Sequence, residues 1–213
     1  MTESTTRRLL RRDERQAQIL GAAATAFARG GYAATSMEDV AAEAGITRLI
    51  VYRHFDSKEE LYRSVLTMVT ERLSAQWHAG VHRGERGFVF RALLNVAREL
   101  PDGYRLLFEH AAREPQFVAF YQDVRARQVG LADELLGEHM GDPAMRRWAN
   151  QTVIAYLNDS VLAWLEVGEP ARDDDFVEQA TDGLLAMYAA WVPEARAEWS
   201  AAQTEANDAV ASP

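Results

Sequence analysis

Apolar residues recur at helical spacing along most of the chain, and the alternation of apolar and polar residues that marks a β-strand is absent. Near the start, Ile19, Ala23 and Phe27 follow at intervals of four, so they share one face of a helix predicted from about Asp13 to Arg29. Later periodic stretches are rich in Ala, Leu, Glu and Arg and are separated by Gly and Pro. The sequence therefore predicts an all-α protein.

Composition narrows the class of protein. With 213 residues, 48% of them hydrophobic and 26% charged, the chain can bury a full core and lacks the signature of disorder. It contains no Cys, which excludes disulfides and thiolate metal sites and suits a reducing compartment. The Arg-rich N-terminus lacks the apolar core of a signal peptide, and the chain has no run of about 18 apolar residues that would span a membrane. We therefore expect a soluble, cytoplasmic protein with no membrane contact.

Charge is unevenly distributed. Residues 1–58 carry nine Lys and Arg against seven Asp and Glu, whereas residues 59–213 carry 14 against 25, which together give the net charge of −9. An acidic protein binds nucleic acid only where its positive charge is concentrated. Five arginines lie within the first fifteen residues: Arg7, Arg8, Arg11, Arg12 and Arg15. They fit either a solvated, disordered arm or an arm that binds nucleic acid.

Two short helices joined by a glycine turn are predicted next. Thr35 and Glu38 have the spacing of a capping box, which opens the first helix, and Gly45 ends it. Thr47 is a favourable N-cap for the second helix, which runs to about His54. Such a pair is typical of a helix-turn-helix motif.

Winding residues 47–54 at about 100° per residue separates this second helix into two faces. The inward face holds Thr47, Ile50, Val51 and His54, and the outward face holds Arg48, Leu49, Tyr52 and Arg53. Arginines on an exposed face can contact phosphates and base edges. Leu49 has no hydrogen bond to offer, so it either packs against a thymine methyl group or covers a neighbouring helix.

Lys58 is the only lysine of the chain and lies in the first turn of the following helix, which Ser57 to Glu60 open as another capping box. The helix dipole slightly disfavours a cation at that end, so local helix stability does not explain Lys58. A phosphate contact would explain it, and so would a chance position on a solvated face.

Residues from about Arg15 to Leu66 resemble the N-terminal domain of the TetR family of bacterial transcriptional regulators. The resemblance is carried by Phe27 with Gly31-Tyr32, by Thr35-Ser36, by Val40-Ala41 with Ala44-Gly45-Ile46, by VYRHF at 51–55 and by SKE at 57–59. It implies an all-α homodimer with an N-terminal three-helix helix-turn-helix domain that binds DNA. The larger C-terminal helical domain would hold a small-molecule pocket and the dimer interface.

Carried over position by position, the resemblance implies DNA contacts from Thr35, Met37, Thr47, Arg48, Leu49, Tyr52, Arg53, His54 and Lys58. Thr35 and Met37 fall where members of the family often touch backbone phosphates. Many members have a small residue where this chain has Leu49, which either changes the bases that fit or indicates a weakened DNA surface. By analogy with homeodomain arms, the Arg-rich arm is a candidate to enter the minor groove.

The chain is predicted to divide into a flexible Arg-rich arm (1–12), a helix-turn-helix domain (13–60), a ligand-binding and dimerisation domain (61–193) and a mobile tail (194–213). Beyond residue 87, Gly and Pro separate helices predicted at about 88–100, 103–113, 115–139, 144–167 and 174–191. The last two carry small residues among large apolar ones, which suits either a dimeric four-helix bundle or packing within one chain.

Aromatic residues are the candidates to line the pocket that the resemblance implies: Phe88, Phe90, Phe108, Phe117, Phe120, Tyr121, Tyr156 and Trp164. They also suit an ordinary core. Asn158 and Asp159 interrupt an apolar helix, and a buried polar pair must bond either to a ligand or, as we favour, to the protein itself. Residues 102–115 resemble a segment of some actinobacterial regulators of fatty-acid synthesis, which implies an acyl-CoA or fatty-acid effector.

Neither catalysis nor metal binding is predicted. His78 and His82 have the i, i+4 spacing of two metal ligands, but no third ligand beyond Glu85 is evident. No phosphate loop, nucleophile elbow or catalytic triad appears. We therefore expect no enzyme and no cofactor. We interpret the chain as a homodimeric regulator that represses from a palindromic DNA operator until a small apolar or amphipathic molecule binds. The alternative is an all-α carrier or partner-binding protein whose DNA-binding domain is vestigial, which Leu49 and the acidic net charge would suit.

Overall fold

The computed structural model describes residues 12–80, 85–136 and 140–192, and every regular element in these ranges is helical. The α-helices are α1 (Arg12–Ala34), α2 (Met37–Glu43), α3 (Arg48–Tyr52), α4 (Lys58–Gly80), α5 (Phe88–Glu99), α6 (Pro101–Arg105), α7 (Val118–Leu136), α8 (Pro143–Val167) and α9 (Asp173–Trp191). A π-turn (Leu106–His110) and a 3₁₀ turn (Ala111–Arg113) follow α6, and another 3₁₀ turn (Pro170–Arg172) precedes α9. The all-α prediction is confirmed. None of these helices is both long and apolar enough to cross a lipid bilayer.

The helices form two compact units. Among the described residues, the first unit contains 12–72 and 100–119, and the second contains 73–80, 85–99, 120–136 and 140–192. The stretch 100–119 joins the first unit because α6 packs on α1, where the Thr25 hydroxyl donates a hydrogen bond to the Asp102 carboxylate at 2.7 Å. The predicted division of the chain at residue 60 falls inside α4.

Helix α1 extends beyond its predicted end at Gly30-Gly31. Gly31 has a φ of 74° and a ψ of 163°, which breaks the helical path, and the chain then resumes helical turns as far as Ala34. The prediction was correct about the break but wrong about the end, because only glycine readily takes this left-handed conformation and the chain can turn helical again after it. The apolar face of α1 is fully buried at Ile19, Ala23 and Phe27, as its spacing predicts.

Helix α2 is capped one residue later than predicted. The Ser36 hydroxyl accepts a hydrogen bond from the Asp39 amide at 3.2 Å, and the Asp39 carboxylate accepts one from the Ser36 amide at 2.8 Å. The predicted box of Thr35 and Glu38 is therefore wrong. Thr35 is buried, and its hydroxyl donates to the Gly31 carbonyl oxygen at 2.8 Å, so it is not free to cap α2.

The turn between α2 and α3 uses Gly45, whose φ of 64° suits the glycine that the sequence places there. The Ile46 amide donates to the Ala41 carbonyl oxygen at 2.9 Å, which closes the turn. Helix α3 then begins after Thr47 and packs on α2. The predicted helix-turn-helix is therefore present.

Aromatic rings form the centre of the first unit. The Tyr62 ring stacks on Phe117 with centroids 4.3 Å apart, and Phe27 and Tyr32 meet Tyr62 edge-on at 5.0 and 5.2 Å. Edge-on and stacked pairs add to the stabilisation that ring burial alone provides. These contacts make α1, α4 and the segment 100–119 one packed body, and α2 packs on α1.

In the second unit, α5 packs against α8 and α9. Asp173, the first residue of α9, accepts hydrogen bonds from the Arg98 guanidinium of α5 at 2.7 and 3.1 Å and from Trp164 Nε1 of α8 at 2.7 Å. These bonds, that of Arg98 foremost, lower the pKa of Asp173, so its carboxylate is ionised at neutral pH. We call this contact of three helices the Asp173 junction.

Candidate nucleic-acid interface

Helix α3 presents its charged side to solvent. The four residues of the predicted outward face are exposed: Arg48, Leu49, Tyr52 and Arg53. Leu49 exposes 63% of its surface and Tyr52 38%, whereas Val51 is fully buried. The exposed set matches the face that helical periodicity predicts, and Val51 anchors it from behind.

The predicted inward face is not uniformly buried, because Val51 is buried, Ile50 is half-buried and Thr47 is exposed. Thr47 is exposed, because it lies just outside the helix with an extended backbone, and its side chain makes no capping bond. His54 is half-buried. Partial burial, followed by the positive charges of Arg12 and Arg15, lowers the pKa of His54. At neutral pH, His54 therefore offers a ring hydrogen bond and little positive charge.

Arg48 is held by two neighbours. Its Nη1 forms an ion pair with the Glu38 carboxylate of α2, and its Nη2 donates a hydrogen bond to the Tyr52 hydroxyl at 3.3 Å. The guanidinium also lies over the Tyr52 ring, 5.0 Å from its centroid, in cation–π geometry. The hydrogen bond to Tyr52, and after it the charge of Glu38, raises the pKa of Arg48.

Lys58 forms hydrogen bonds within the protein. Its Nζ donates to the carbonyl oxygens of Tyr32 at 2.8 Å and Ala33 at 3.3 Å, and it lies 4.5 Å from the centroid of the Tyr32 ring. These carbonyls belong to the last turn of α1, where a cation is favoured by the helix dipole. The sequence leaves open a phosphate contact or a chance surface position for Lys58. The structure adds a third role, in which Lys58 links the end of α1 to the start of α4 by hydrogen bonds.

The two residues predicted to touch phosphates near the start of α2 are buried. Thr35 bonds to Gly31, and Met37 lies in the core. A side chain enclosed by protein does not reach a DNA backbone, so a phosphate contact at Thr35 or Met37 would have to come from main-chain atoms.

Sequence reasoning misses Glu38 as part of this interface. The residue appears only as a candidate capping group, because helical spacing shows nothing of contacts between α2 and α3. It also misses that Arg12 and Arg15, at the start of α1, lie close enough to His54 to affect its pKa. The remaining arginines of the arm, Arg7, Arg8 and Arg11, lie outside the described residues.

The predicted pocket residues are divided between the two units. Phe108 and Phe117 belong to the first unit, and the other predicted pocket residues belong to the second. Phe117 is fully buried against Tyr62, and Phe108 meets Tyr104 with centroids 4.6 Å apart. Phe117 is thus packed in the core of the first unit, and its role in a pocket stays a prediction.

In the second unit, Phe90 is also a core residue, since it is buried edge-on against Tyr156 at 5.8 Å and Phe176 at 5.9 Å. Trp164 stacks on Phe176 and donates to Asp173, so the protein already occupies its ring and its donor. The half-buried aromatic candidates of the second unit are Phe88, Phe120, Tyr121, Tyr156 and Trp164. Of these, Phe88 also meets Trp77 with centroids 5.6 Å apart, and the Tyr156 hydroxyl donates to the Ala180 carbonyl oxygen at 3.2 Å.

The polar pair in α8 separates into two environments. Buried Asn158 exchanges hydrogen bonds with Gln128 of α7 at 3.2 and 3.3 Å, which agrees with the favoured interpretation that the protein satisfies it. Asp159 is exposed, so it is not part of a buried polar pair, and its assignment to a pocket is corrected.

A shallow groove lies between the start of α5 and the first half of α9. Its walls include Arg86, Arg91, Asp174 and Glu178, and none of the predicted pocket residues lines it. Nowhere in the described parts of the chain do three or more His, Asp or Glu side chains meet in a way that would hold a metal ion. His82 of the His78–His82 pair lies outside those parts.

The sequence and fold match known regulators. The family model for bacterial regulatory proteins of the tetR family matches residues 19–65, which span most of α1 to the first part of α4. The HTH-type transcriptional activator FasR of Mycolicibacterium smegmatis is 31% identical over 176 residues, which cover 79% of this chain and 80% of that protein. The HTH-type transcriptional repressor KstR2 of Rhodococcus jostii is 34% identical over 110 residues, 51% of this chain and 49% of that protein.

A solved structure of a TetR-like transcriptional regulator from Rhodococcus sp. RHA1 has the same fold. Its TM-score is 0.66 at 23% identity, and the match covers 83% of this chain and 98% of that one. The helix-turn-helix, the exposed face of α3 and these matches lead to one assignment. The chain belongs to the tetR family of bacterial regulatory proteins and is a DNA-binding transcriptional regulator.

Proposed function

We propose that two copies of the chain bind a palindromic operator in the cytoplasm, each placing α3 in one major groove about a helical turn apart. The observation that carries the proposal is the exposed face of α3, where two arginines and Tyr52 surround Leu49 while Val51 anchors the helix. An arginine bonds guanine through two donors, and hydroxyl groups bond phosphates. The face thus offers both base contacts and phosphate contacts.

The proposed DNA contacts come from the exposed or half-buried members of the predicted set: Thr47, Arg48, Leu49, Tyr52, Arg53, His54 and Lys58. Lys58 reaches a phosphate only by leaving the carbonyl oxygens of α1. The Arg-rich arm would add phosphate or minor-groove contacts beside them.

The proposed homodimer uses α8 and α9. Trp148 of α8 meets Trp191 of α9 with centroids 4.8 Å apart, and Trp148 and Met145 remain about half exposed. Large apolar side chains exposed together in one chain suit an interface with another chain. Gly183 has a different role, because a Cβ at this position would lie 2.4 Å from the Tyr156 hydroxyl, so this small residue serves packing within the chain.

The proposed effector is a small apolar or amphipathic molecule, with an acyl-CoA or fatty acid as the class to test first. The half-buried aromatic candidates of the second unit support an apolar ligand: Phe88, Phe120, Tyr121, Tyr156 and Trp164. An effector changes operator binding only by binding one conformation of the dimer better than another. We therefore propose that the effector favours a conformation of the dimer in which the distance between the two α3 helices no longer matches the half-site spacing of the operator.

Repression is the proposed outcome of operator binding, as it is for the similar protein KstR2, which is named a repressor. Activation is the second candidate, because FasR, similar over most of the chain, is named an activator. The same DNA-binding surface serves either outcome, and a promoter reporter in cells with and without the protein separates them. Reporter output that rises when the protein is removed supports repression, and output that falls supports activation.

A mobility-shift titration with DNA from upstream of the chain's own coding region tests the DNA-binding proposal. We expect a specific shift that survives excess competitor DNA, whereas a carrier with a vestigial domain would give none. Mass spectrometry of molecules that copurify with the full chain then identifies the effector, and an acyl-CoA serves as the first probe. Addition of the effector is expected to release the operator.

A further inference from the structure

Glu38 is an acidic side chain placed at the edge of a surface that we assign to a polyanion. It belongs to α2, yet its carboxylate contacts the guanidinium of Arg48 in α3. Both side chains are more than half exposed, so burial does not enforce the contact. An exposed carboxylate beside DNA repels phosphates, so its presence calls for a role that outweighs this repulsion.

The contact leaves Arg48 able to bind DNA. Nη1 of Arg48 pairs with the Glu38 carboxylate, and Nη2 donates a hydrogen bond to the Tyr52 hydroxyl. The Tyr52 ring also lies beneath the guanidinium. A guanidinium has five N–H donors, of which these neighbours use only part. Arg48 therefore keeps donors for a base edge, while its long side chain is held in one orientation between α2 and Tyr52.

We propose that Glu38 is a specificity-determining positioning residue, which orients Arg48 for one base pair and so raises the preference for that pair over other sequences. This inference rests on the proposed operator binding through α3. On a matching site, Arg48 is already oriented, so less conformational freedom is lost when it binds. On other DNA, Arg48 gains no base contact, so its orientation gives no such advantage. The repulsion between Glu38 and the backbone acts on every sequence alike, so the ratio of specific to non-specific affinity rises through the orientation of Arg48.

The chain supplies a matched control on the same helix. Glu43 of α2 also pairs with an arginine, Arg29 of α1, at 2.8 Å in an exposed position. Substituting Glu43→Gln removes the same charge from the same helix without touching Arg48. Any effect of the net charge on DNA affinity thus appears in both variants, and an effect on the orientation of Arg48 appears only with Glu38→Gln.

The experiment selects binding sites from random DNA with the full-length protein and measures affinities for the selected site and for unrelated DNA. We expect Glu38→Gln to lower the ratio of the two affinities by up to about fivefold, the upper end of the range of an exposed ion pair. We expect it to relax base preference at one position of each half-site. Glu43→Gln should leave both unchanged, and thermal unfolding of the two variants should match that of the unchanged chain because both side chains are on the surface.

A double-mutant cycle with Arg48→Ala assigns the effect to the pair. We expect Arg48→Ala to relax preference at the same position, and Glu38→Gln to add nothing in that background. Equal effects from Glu38→Gln and Glu43→Gln, or a full effect of Glu38→Gln without Arg48, would overturn the inference. An unchanged protein that selects no sequence at all overturns the proposed operator binding itself, so the two failures are distinct.

Discussion

Leu49 and Arg53 occupy neighbouring positions on the exposed face of α3 and represent two kinds of contact with DNA. Leu49 is aliphatic and largely exposed, so its chemistry suits the methyl group of thymine. Arg53 is cationic and exposed, and its charge suits a phosphate, which carries no sequence information. At the scale of single residues, replacing Leu49 should therefore change which base is preferred, whereas replacing Arg53 should weaken binding to all DNA sequences.

Replacing thymines of the operator one at a time with uracil removes single methyl groups. We expect that, at one thymine position of each half-site, a single replacement weakens binding of the unchanged chain about fourfold. The reason is that a buried methyl group contributes about 0.8 kcal/mol. Leu49→Ala should bind more weakly and be indifferent to that replacement, while its free energy of unfolding changes by less than about 0.5 kcal/mol. If no uracil replacement affects the unchanged chain, Leu49 does not meet a methyl group.

Arg53→Ala tests the phosphate contact. We expect weaker binding to all sequences alike, and a plot of log affinity against log salt whose slope is smaller by about 0.9, the loss of one neutralised phosphate. Arg127→Ala, which removes an exposed arginine from α7, is the control and should leave the slope unchanged. Identical slopes for both variants and the unchanged chain would remove Arg53 from the DNA face.

At the scale of elements, side chains that join helices help to hold each unit together. Lys58 bonds the last turn of α1 from the first turn of α4, and Asp173 joins α9 to α5 and α8. Each uses charge-assisted hydrogen bonds, which are stronger than neutral ones. The stability of each unit should therefore respond to one side chain.

Lys58→Met keeps most of the apolar stem and removes the ammonium group. We expect the free energy of unfolding to fall by about 1–2 kcal/mol, because the carbonyl oxygens of Tyr32 and Ala33 lose a charged donor. Glu59→Gln changes the charge of the same turn and should have a smaller effect, as its partner Arg63 is on the surface. Unchanged stability with a salt slope smaller by about 0.9 would instead assign Lys58 to a phosphate.

Acid should weaken the Asp173 junction. The hydrogen bonds from Arg98 and Trp164 lower the pKa of Asp173 below its value of about 3.9 in an unfolded chain. Since the folded pKa is the lower one, the stabilisation is complete above about pH 5 and is lost as the pH falls through the folded pKa. Asp173→Asn should be less stable by about 1–3 kcal/mol at pH 7 and less sensitive to acid.

Chemical unfolding at several pH values, followed by Trp fluorescence, measures this dependence. Asp174→Asn is the neighbouring control, because Asp174 is largely exposed and pairs only at the surface with Arg91. Equal acid sensitivity in the unchanged chain and in Asp173→Asn would show that the junction does not contribute to the pH dependence.

Most element boundaries could be predicted because Gly and Pro mark them: α8 was expected at 144–167 and spans Pro143–Val167. The cap of α2 could not be predicted. Thr35 with Glu38 and Ser36 with Asp39 have the same spacing, and only the burial of Thr35 decides between them. The π-turn at Leu106–His110 likewise leaves no mark in the sequence, because its apolar residues suit an α-helix equally well.

The candidate DNA-binding site also has features that the sequence predicts and features that it does not. Which residues of α3 are exposed follows from 100° per residue, so Arg48 and Tyr52 were found. The partners of Lys58 and Arg48 depend on how separate helices pack, and nothing in local spacing shows them. The sequence predicts Phe117 as a pocket residue from its aromatic type and the family resemblance, but it does not show the contact with Tyr62.

At the scale of the whole molecule, each chain of the proposed dimer carries one recognition helix, and the dimer would fix the distance between the two helices. A palindromic operator follows from that symmetry, since each chain reads the same half-site in opposite directions. The exposed Trp148 and Met145 of α8 support the dimer, and the exposed face of α3 supports the DNA contact. Both must be present for half-sites to be bound as a pair.

Hydroxyl-radical footprinting of the full-length chain on its selected operator tests this most directly. We expect two protected half-sites of inverted sequence, with centres about 10 base pairs or a multiple of that apart on one face of the duplex. Tyr52→Ala should lose the protection of both together while its fold is retained. A single protected patch, no discrete protection, or a Tyr52→Ala pattern identical to that of the unchanged chain would contradict the proposal.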